Sequence, residues 1–181
     1  MISTWGIDST WSLFLDRDGV INERIWDGYV LNYNQFQFRK GTLEAIAKFK
    51  TIFNHIFVIT NQQCVGKGIL TFQELHTIHS KMKSQIIENQ GVITDVFVAT
   101  ELKNSSPFRR KPATIMGQEA KEKYPDVNFT KSIMIGDTDS DIKFGKDLGM
   151  KTIRVKSKEE EGITADANIN DLMHFVELIR K

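Results

Sequence analysis

Short apolar runs alternate along this chain with longer stretches in which apolar residues recur every three or four positions. Five runs carry strand character: Ser12–Leu15, 55–60, Asp95–Ala99, 132–135 and Lys151–Val155. The run 55–60 is apolar almost throughout, the pattern of a strand buried on both faces. Helical spacing covers 41–50, 71–90, 112–124, 139–148 and 171–180. The first of these shows Leu43, Ile46, Ala47 and Phe49 on one face. The second opens with Thr71 and has Glu74 three residues on, a capping box. Its expected face runs Phe72, Leu75, Ile78, Met82 and Ile86. Pro112 suits a first helical turn, and Gly149 a helix stop. Segment 20–38 has no sustained period and reads as a long loop or small hairpin. Loops are also expected over 61–69 and 100–109. Strands alternating with helices predict an α/β fold with a parallel sheet covered on both faces. One domain spanning 1–181 is expected, since that length can bury a core of its own.

Bulk properties narrow the function. A net charge of +1 leaves no electrostatic footprint for nucleic acid or an anionic membrane. Cys64 is the only cysteine, so no disulfide can form within the chain. No apolar stretch approaches the length of a membrane span, and residues 1–10 lack the basic and apolar regions of a secretory signal. The expectation is a cytoplasmic protein, monomeric by default of size.

Candidate chemistry begins directly behind the first strand, at Asp16-Arg17-Asp18-Gly19-Val20. Strand alternation sends Asp16 and Asp18 to one side and Arg17 to the other, and Gly19 allows a sharp turn away. Open α/β sheets place ligands at this edge. Two acids so close suit a division of labour between a nucleophile and a proton carrier. Three further elements follow. Thr60-Asn61-Gln62 ends the second strand, where a hydroxyl beside backbone amides can hold a phosphoryl oxygen. Arg110-Lys111-Pro112 brings a lysine able to neutralise a transferring phosphoryl group. Gly136-Asp137-Thr138-Asp139-Ser140-Asp141 offers hard oxygen ligands suited to Mg²⁺. Singly each has a bland explanation: a turn cap, a solvated basic cluster, acids at a helix N-terminus. Four together, each at a strand end or helix start, point to phosphoryl transfer.

In that order the motifs resemble those of the haloacid dehalogenase superfamily of phosphohydrolases, over about residues 13–155. The resemblance implies a Rossmann-like three-layer sandwich and an aspartyl-phosphate intermediate. Asp16 would be the nucleophile and Asp18 the acid and base. Thr60 and Lys111 would hold the transferring group. Mg²⁺ would lie between Asp16, the Asp18 main-chain carbonyl and Asp137, with Asp141 in support. The stretches DRDGVIN, GYV, TNQ, RKP and GDxxxD are similar to those of the small histidinol-phosphate and heptose-bisphosphate phosphatases, which lack a cap domain. Most of that group carries a C-x-H…C-x-C zinc loop before RKP. Here 101–109 holds neither cysteine nor histidine, so no zinc is expected. His55, His76, His79 and His174 read as ordinary residues.

Gly28-Tyr29-Val30 with Phe36 and Phe38 looks more like the heptose enzymes than the histidinol ones. Asp27, Gly28 and Tyr29, with Trp26, are then candidate substrate-selecting residues. Asn61, Gln62 and Arg110 join them, Arg110 for a distal phosphate. The expected substrate is a small phosphorylated sugar, D-glycero-D-manno-heptose 1,7-bisphosphate above others, in heptose biosynthesis. Histidinol phosphate is the close rival. Three positions depart from the group: Cys64 replaces a glycine, Lys67 an arginine, and Thr138 a lysine. Arginine offers a bidentate fork and lysine a point charge, so the second phosphate would be held differently. A polynucleotide 3′-phosphatase is disfavoured by the charge, and a DxDxT protein phosphatase by Val20. A non-catalytic phosphosugar-binding module is disfavoured because every catalytic position is filled.

Overall fold

A computed structural model describes residues 2–104 and 108–179. Six strands form one sheet: β1 (Ser12–Leu15), β2 (His55–Asn61), β3 (Asp95–Ala99), β4 (Ser132–Gly136), β5 (Lys151–Val155) and β6 (Ala167–Ile169). The helices are α1 (Thr42–Phe49), α2 (Gln63–Gly66), α3 (Phe72–Glu88), α4 (Ile115–Lys123), α5 (Asp139–Asp147) and α6 (Leu172–Ile179). Strand order is β3-β2-β1-β4-β5-β6, with every pairing parallel.

Strand alternation divides the core in two. Leu13, Leu15, Ile56, Val58, Ile133 and Ile135 face α1, α3 and α6. Phe14, Phe57, Ile59 and Met134 face Met116 and Ala120 of α4 and Phe144 of α5. The result is the expected three-layer sandwich. Phe14 is fully buried against Phe57, their ring centroids 5.0 Å apart. Burying a side chain of that size contributes roughly 1.5–3 kcal/mol.

Several expectations need correction. β6 is three residues long, too short for its alternation to register, and α2 is a single turn. The helix expected over 112–124, α4, begins at Ile115, not Pro112. A turn closed by Ala113 N–H donating to the Arg110 carbonyl precedes it, and the Lys111–Pro112 bond is cis. Phe72 is 65% exposed. The buried face of α3 is instead Leu75, Ile78, His79, Met82 and Ile86. The Thr71–Glu74 capping box is present. Segment 20–38 contains one short turn, Tyr33–Gln35, and joins isolated bridges Asp18–Asn22 and Asn22–Phe38. Among the described residues no helix or strand beyond that turn lies between β1 and α1, in keeping with a fold that lacks a cap. Residues 105–107 of the expected zinc-free loop, and residue 180 of the last helix, lie outside the described residues.

Candidate active site

Strand order reverses between β1 and β4, and ligands of open α/β sheets bind in the crevice at such a point. A cleft of about 490 Å³ opens there. Asp16, Asp18, Asp27, Gly28, Tyr29, Asn61, Gln62, Arg110, Lys111 and Asp137 all line it. Thr60 does not. It is buried at the end of β2, where its Oγ1 accepts a 2.8 Å bond from Gln62 Nε2.

Two glycines bring the acidic ends of β1 and β4 together. Gly19 has φ +88°, and a Cβ there would lie 2.5 Å from Asp137 Oδ2. A Cβ on Gly136 would lie 2.1 Å from the Asp141 Cβ. Neither close approach tolerates a side chain. Arg39 secures the first turn by donating to the Gly19 carbonyl.

The cleft floor is a buried charge cluster. Lys111, 2% exposed, places Nζ 2.7 Å from Asp16 Oδ1 and 2.5 Å from Asp141 Oδ1, and donates to the Ile59 carbonyl at 2.6 Å. Asn61 aligns it: Asn61 Oδ1 accepts from Lys111 N–H at 2.9 Å, and Nδ2 donates to the Lys111 carbonyl at 3.3 Å. Asn61 thus braces the lysine from the cleft wall. Asp141, expected only in support, belongs to the cluster itself. Its Oδ2 accepts from the Thr138 hydroxyl at 2.6 Å. Ligand atoms of Asp16, Asp137 and Asp141 all lie within 4.8 Å of one another.

One ammonium cannot neutralise three buried carboxylates. Burial above all, opposed by Lys111 and reinforced by Asp141, Asp137 and Asp18, pushes the Asp16 carboxyl up to about 8. Burial and Asp141 push Asp137 up to about 6, against the pull of Arg24. Lys111 is raised, because Asp141 and Asp16 outweigh its own burial. Asp137 Oδ1 is buried with no hydrogen-bond partner among the described residues. An orphaned carboxylate oxygen within an all-oxygen acidic group fits a hard divalent cation.

Asp18 has the opposite environment. Burial alone would raise it, but Arg17, Asn22 and Gln62 together hold its carboxyl below the usual range. Arg17 Nη2 donates to both oxygens at 2.9 Å, Asn22 Nδ2 to Oδ1 at 2.9 Å, and Gln62 Nε2 to Oδ2 at 2.7 Å. Four such bonds use about the whole acceptor capacity of a carboxylate. Asp18 therefore rests ionised, while Asp16 without a cation rests protonated. The Asp18 side chain is not in the acidic metal-like group.

The rim is basic. Arg24 Nη1 bonds Asp137 Oδ2 at 3.2 Å, and Nη2 bonds Glu159 at 2.7 Å. Glu159, part of an acidic run that reads in sequence as mere surface, is thereby tied to the site. Lys67 Nζ and Gln63 Nε2 donate to Tyr29 Oη at 2.9 and 3.0 Å. This latches segment 20–38 to α2 and lowers the Tyr29 phenol, chiefly through Lys67. The Arg110 guanidinium has no hydrogen bond or ion pair among the described residues, and burial lowers its pKa. Trp26 does not line the cleft; it is 42% exposed, with Arg24 over its ring at 4.7 Å. Arg109 turns away to Glu119 at 2.5 Å and the Val98 carbonyl at 2.9 Å.

Arg17, Arg24 and His79 carry no signal in the motif reading. Arg17 shares strand parity with Leu13 and Leu15, and a charge at a core-facing position demands buried partners. His79 falls four after Leu75 and three before Met82, on the buried stripe. Those two spacings were the available clues.

Fold and site together define a phosphohydrolase of the HAD type. A HAD-hydrolase-like family model matches residues 108–174. The D-glycero-alpha-D-manno-heptose-1,7-bisphosphate 7-phosphatase of Mycobacterium bovis is 31% identical over 171 residues, covering 91% of this chain and 89% of that one. The D-glycero-beta-D-manno-heptose-1,7-bisphosphate 7-phosphatase of Helicobacter pylori is 31% identical over 142 residues, covering 77% and 79%. A crystal structure of D,D-heptose 1,7-bisphosphate phosphatase from B. bronchiseptica, complexed with magnesium and phosphate, superposes with a TM-score of 0.83 at 24% identity, covering 94% and 98%. The chain belongs to the heptose-1,7-bisphosphate 7-phosphatase family of HAD-like hydrolases and is a phosphoric monoester hydrolase.

Proposed function

We propose that this protein is a Mg²⁺-dependent phosphatase of the cytoplasm that removes one phosphate from a D-glycero-D-manno-heptose 1,7-bisphosphate, acting as a monomer. The observation that carries the reading is the pairing of a buried Asp16–Lys111–Asp141–Asp137 cluster with a rim bearing Arg24, Lys67 and Arg110. The cluster suits phosphoryl transfer. A second anionic group on the substrate suits the cationic rim, and Arg110 is the cation there without a partner among the described residues. Relatives at equal identity act on opposite anomers, so the sugar's C1 configuration is decided by assay.

Asp16 Oδ would attack phosphorus in line, and the bond to the sugar oxygen would break. Asp18 would give its proton to that departing oxygen. The phosphoryl group, now on Asp16, is released when water attacks phosphorus and yields its proton back to Asp18. Asp18 rests ionised, so it must take up a proton first. An approaching phosphate dianion raises its proton affinity by like-charge repulsion, which lets one carboxylate serve both steps. Lys111 would hold charge on the equatorial oxygens, with Thr60 braced beneath through Gln62. Asp16, Asp137 and Asp141, with the Asp18 carbonyl, would hold Mg²⁺, which when bound offsets repulsion between the anionic nucleophile and the phosphoryl group.

The test is initial rates of phosphate release with Mg²⁺ on the α- and β-heptose 1,7-bisphosphates and on histidinol phosphate. A clear preference for one heptose anomer is expected. A preference for histidinol phosphate would overturn the substrate assignment.

A further inference from the structure

Arg17 and His79 are both buried, at 0% and 7% exposure, and neither has a role in the scheme above. Arg17 leaves β1 with the parity of Leu13 and Leu15 and so enters the face covered by α3. Three groups fix its guanidinium there. Nη2 holds both oxygens of Asp18. Nη1 lies 3.1 Å from His79 Nε2. The Phe36 ring centroid lies 5.9 Å from Cζ. Nε has no partner among the described residues. A guanidinium only donates, so His79 Nε2 must accept, and the imidazole is neutral with its proton on Nδ1. Burial and the adjacent guanidinium hold the imidazole pKa down to about 3, consistent with that state.

Arginine has four rotatable side-chain bonds, and an exposed arginine–carboxylate pair wanders. Here the helix supplies the stop. His79 lies in the middle of α3, whose start is capped by Thr71 and Glu74. The imidazole therefore sets where Nη1 sits, and the rigid guanidinium then sets where Nη2 meets the two oxygens of Asp18. We infer that His79 is a positioning residue for proton transfer, acting through Arg17 to orient Asp18 toward the leaving oxygen. This rests on the phosphatase reading of the site. The histidine touches neither substrate nor metal ligand. What it supplies is a neutral, rigidly mounted acceptor, a role glutamine can fill with Oε1 and leucine cannot.

Leaving-group dependence separates positioning from mere structural support. An alkyl leaving oxygen, as in a sugar phosphate, needs a proton from Asp18; p-nitrophenolate leaves without one. The kcat/KM of each substrate reports the steps through leaving-group departure. His79→Leu is expected to lower kcat/KM about 10-fold on a sugar phosphate and less than about 3-fold on p-nitrophenyl phosphate, part of the range general acids supply. His79→Gln is expected to stay within about 3-fold of wild type on both. Equal losses on the two substrates in His79→Leu, no loss on either, or failure of glutamine to restore the sugar-phosphate rate would each overturn the assignment. A separate readout needs no activity: ¹⁵N-edited NMR of the wild-type protein is expected to show His79 protonated on Nδ1 only. An Nε2–H signal would overturn the Arg17 contact. Wild-type inactivity on both substrates would instead refute the phosphatase reading on which the role depends.

Discussion

Replacing Lys111 by methionine tests the charge cluster most directly. Methionine keeps much of the buried stem and removes the ammonium. Three acids then lose a cation that stands 2.7 Å from Asp16 and 2.5 Å from Asp141. Breaking a buried ion pair from one side costs about 3–5 kcal/mol, because the remaining charge stays buried. For a chain of this size that is roughly 10 °C in Tm. The penalty depends on pH. Asp16 is already pushed up to about 8 with the lysine in place, and without it the carboxyl keeps its proton to higher pH still. The native variant then binds a proton that native wild type has released. Its stability deficit should be largest near pH 9 and shrink as pH falls, by up to about 1.4 kcal/mol per pH unit for each extra proton. Urea unfolding in EDTA at pH 9 and pH 6.5 measures both. Turnover with Mg²⁺ should drop about 10²–10³-fold, as on removing one stabilising donor. A deficit below about 1 kcal/mol, equal at the two pH values, would refute the view that Lys111 is the counter-charge of the cluster.

Three further expectations follow from the same geometry. Asp16→Asn should abolish phosphate release yet leave the metal-free protein at least as stable as wild type at pH 9, where wild type carries a buried carboxylate that burial and the neighbouring acids disfavour; residual turnover in a purified variant would refute a covalent role for Asp16. Asp16 and Asp137, raised to about 8 and about 6, retain native-state protons that the unfolded chain loses at ordinary carboxylate values. Metal-free stability should therefore fall as pH rises from 5 to 9, and Mg²⁺ should raise Tm more at pH 8.5 than at pH 6; a Mg²⁺ shift independent of pH would count against the acidic site. Tyr29→Phe removes the oxygen that accepts from Gln63 and Lys67; KM should rise about 5-fold with kcat within about 2-fold, the loss expected of one net hydrogen bond loosening the 20–38 segment. Unchanged KM in steady-state assays would show that the latch does not shape substrate binding.

Motif residues were readable because each stands where a strand must end. Asp16, Thr60 and Asp137 each follow an unbroken apolar run, and the chemistry of short acidic turns after parallel strands is restricted. The strands themselves were readable for the same reason, save β6, whose Ala167-Asn168-Ile169 is too short to show a period. Sequence could not show that Asp18 is saturated by four hydrogen bonds, because Arg17, Asn22 and Gln62 meet only after folding. It misplaced Phe72 by following helical spacing one turn too far, where the first residue of α3 meets solvent. It missed His79 because a histidine on an apolar stripe resembles any other tolerated polar residue until its buried partner is known. Glu159 was unreadable for a similar reason: its tie to Arg24 spans a gap in sequence that no local pattern bridges.

The central place of β1 in the sheet has a consequence for synthesis. Its one neighbour, β2, follows soon after, but the other edge must wait for β4, with Leu15 opposite Ile135. At ribosomal speeds the chain between those positions takes roughly 6–24 s to emerge. Throughout that interval Phe14 and Leu15 border an unpaired strand edge beside the future nucleophile, in a fold whose pairings are mostly long-range and therefore slow. The geometry that gathers the acids at one crevice also leaves the nascent chain with an open apolar strand edge until its second half arrives.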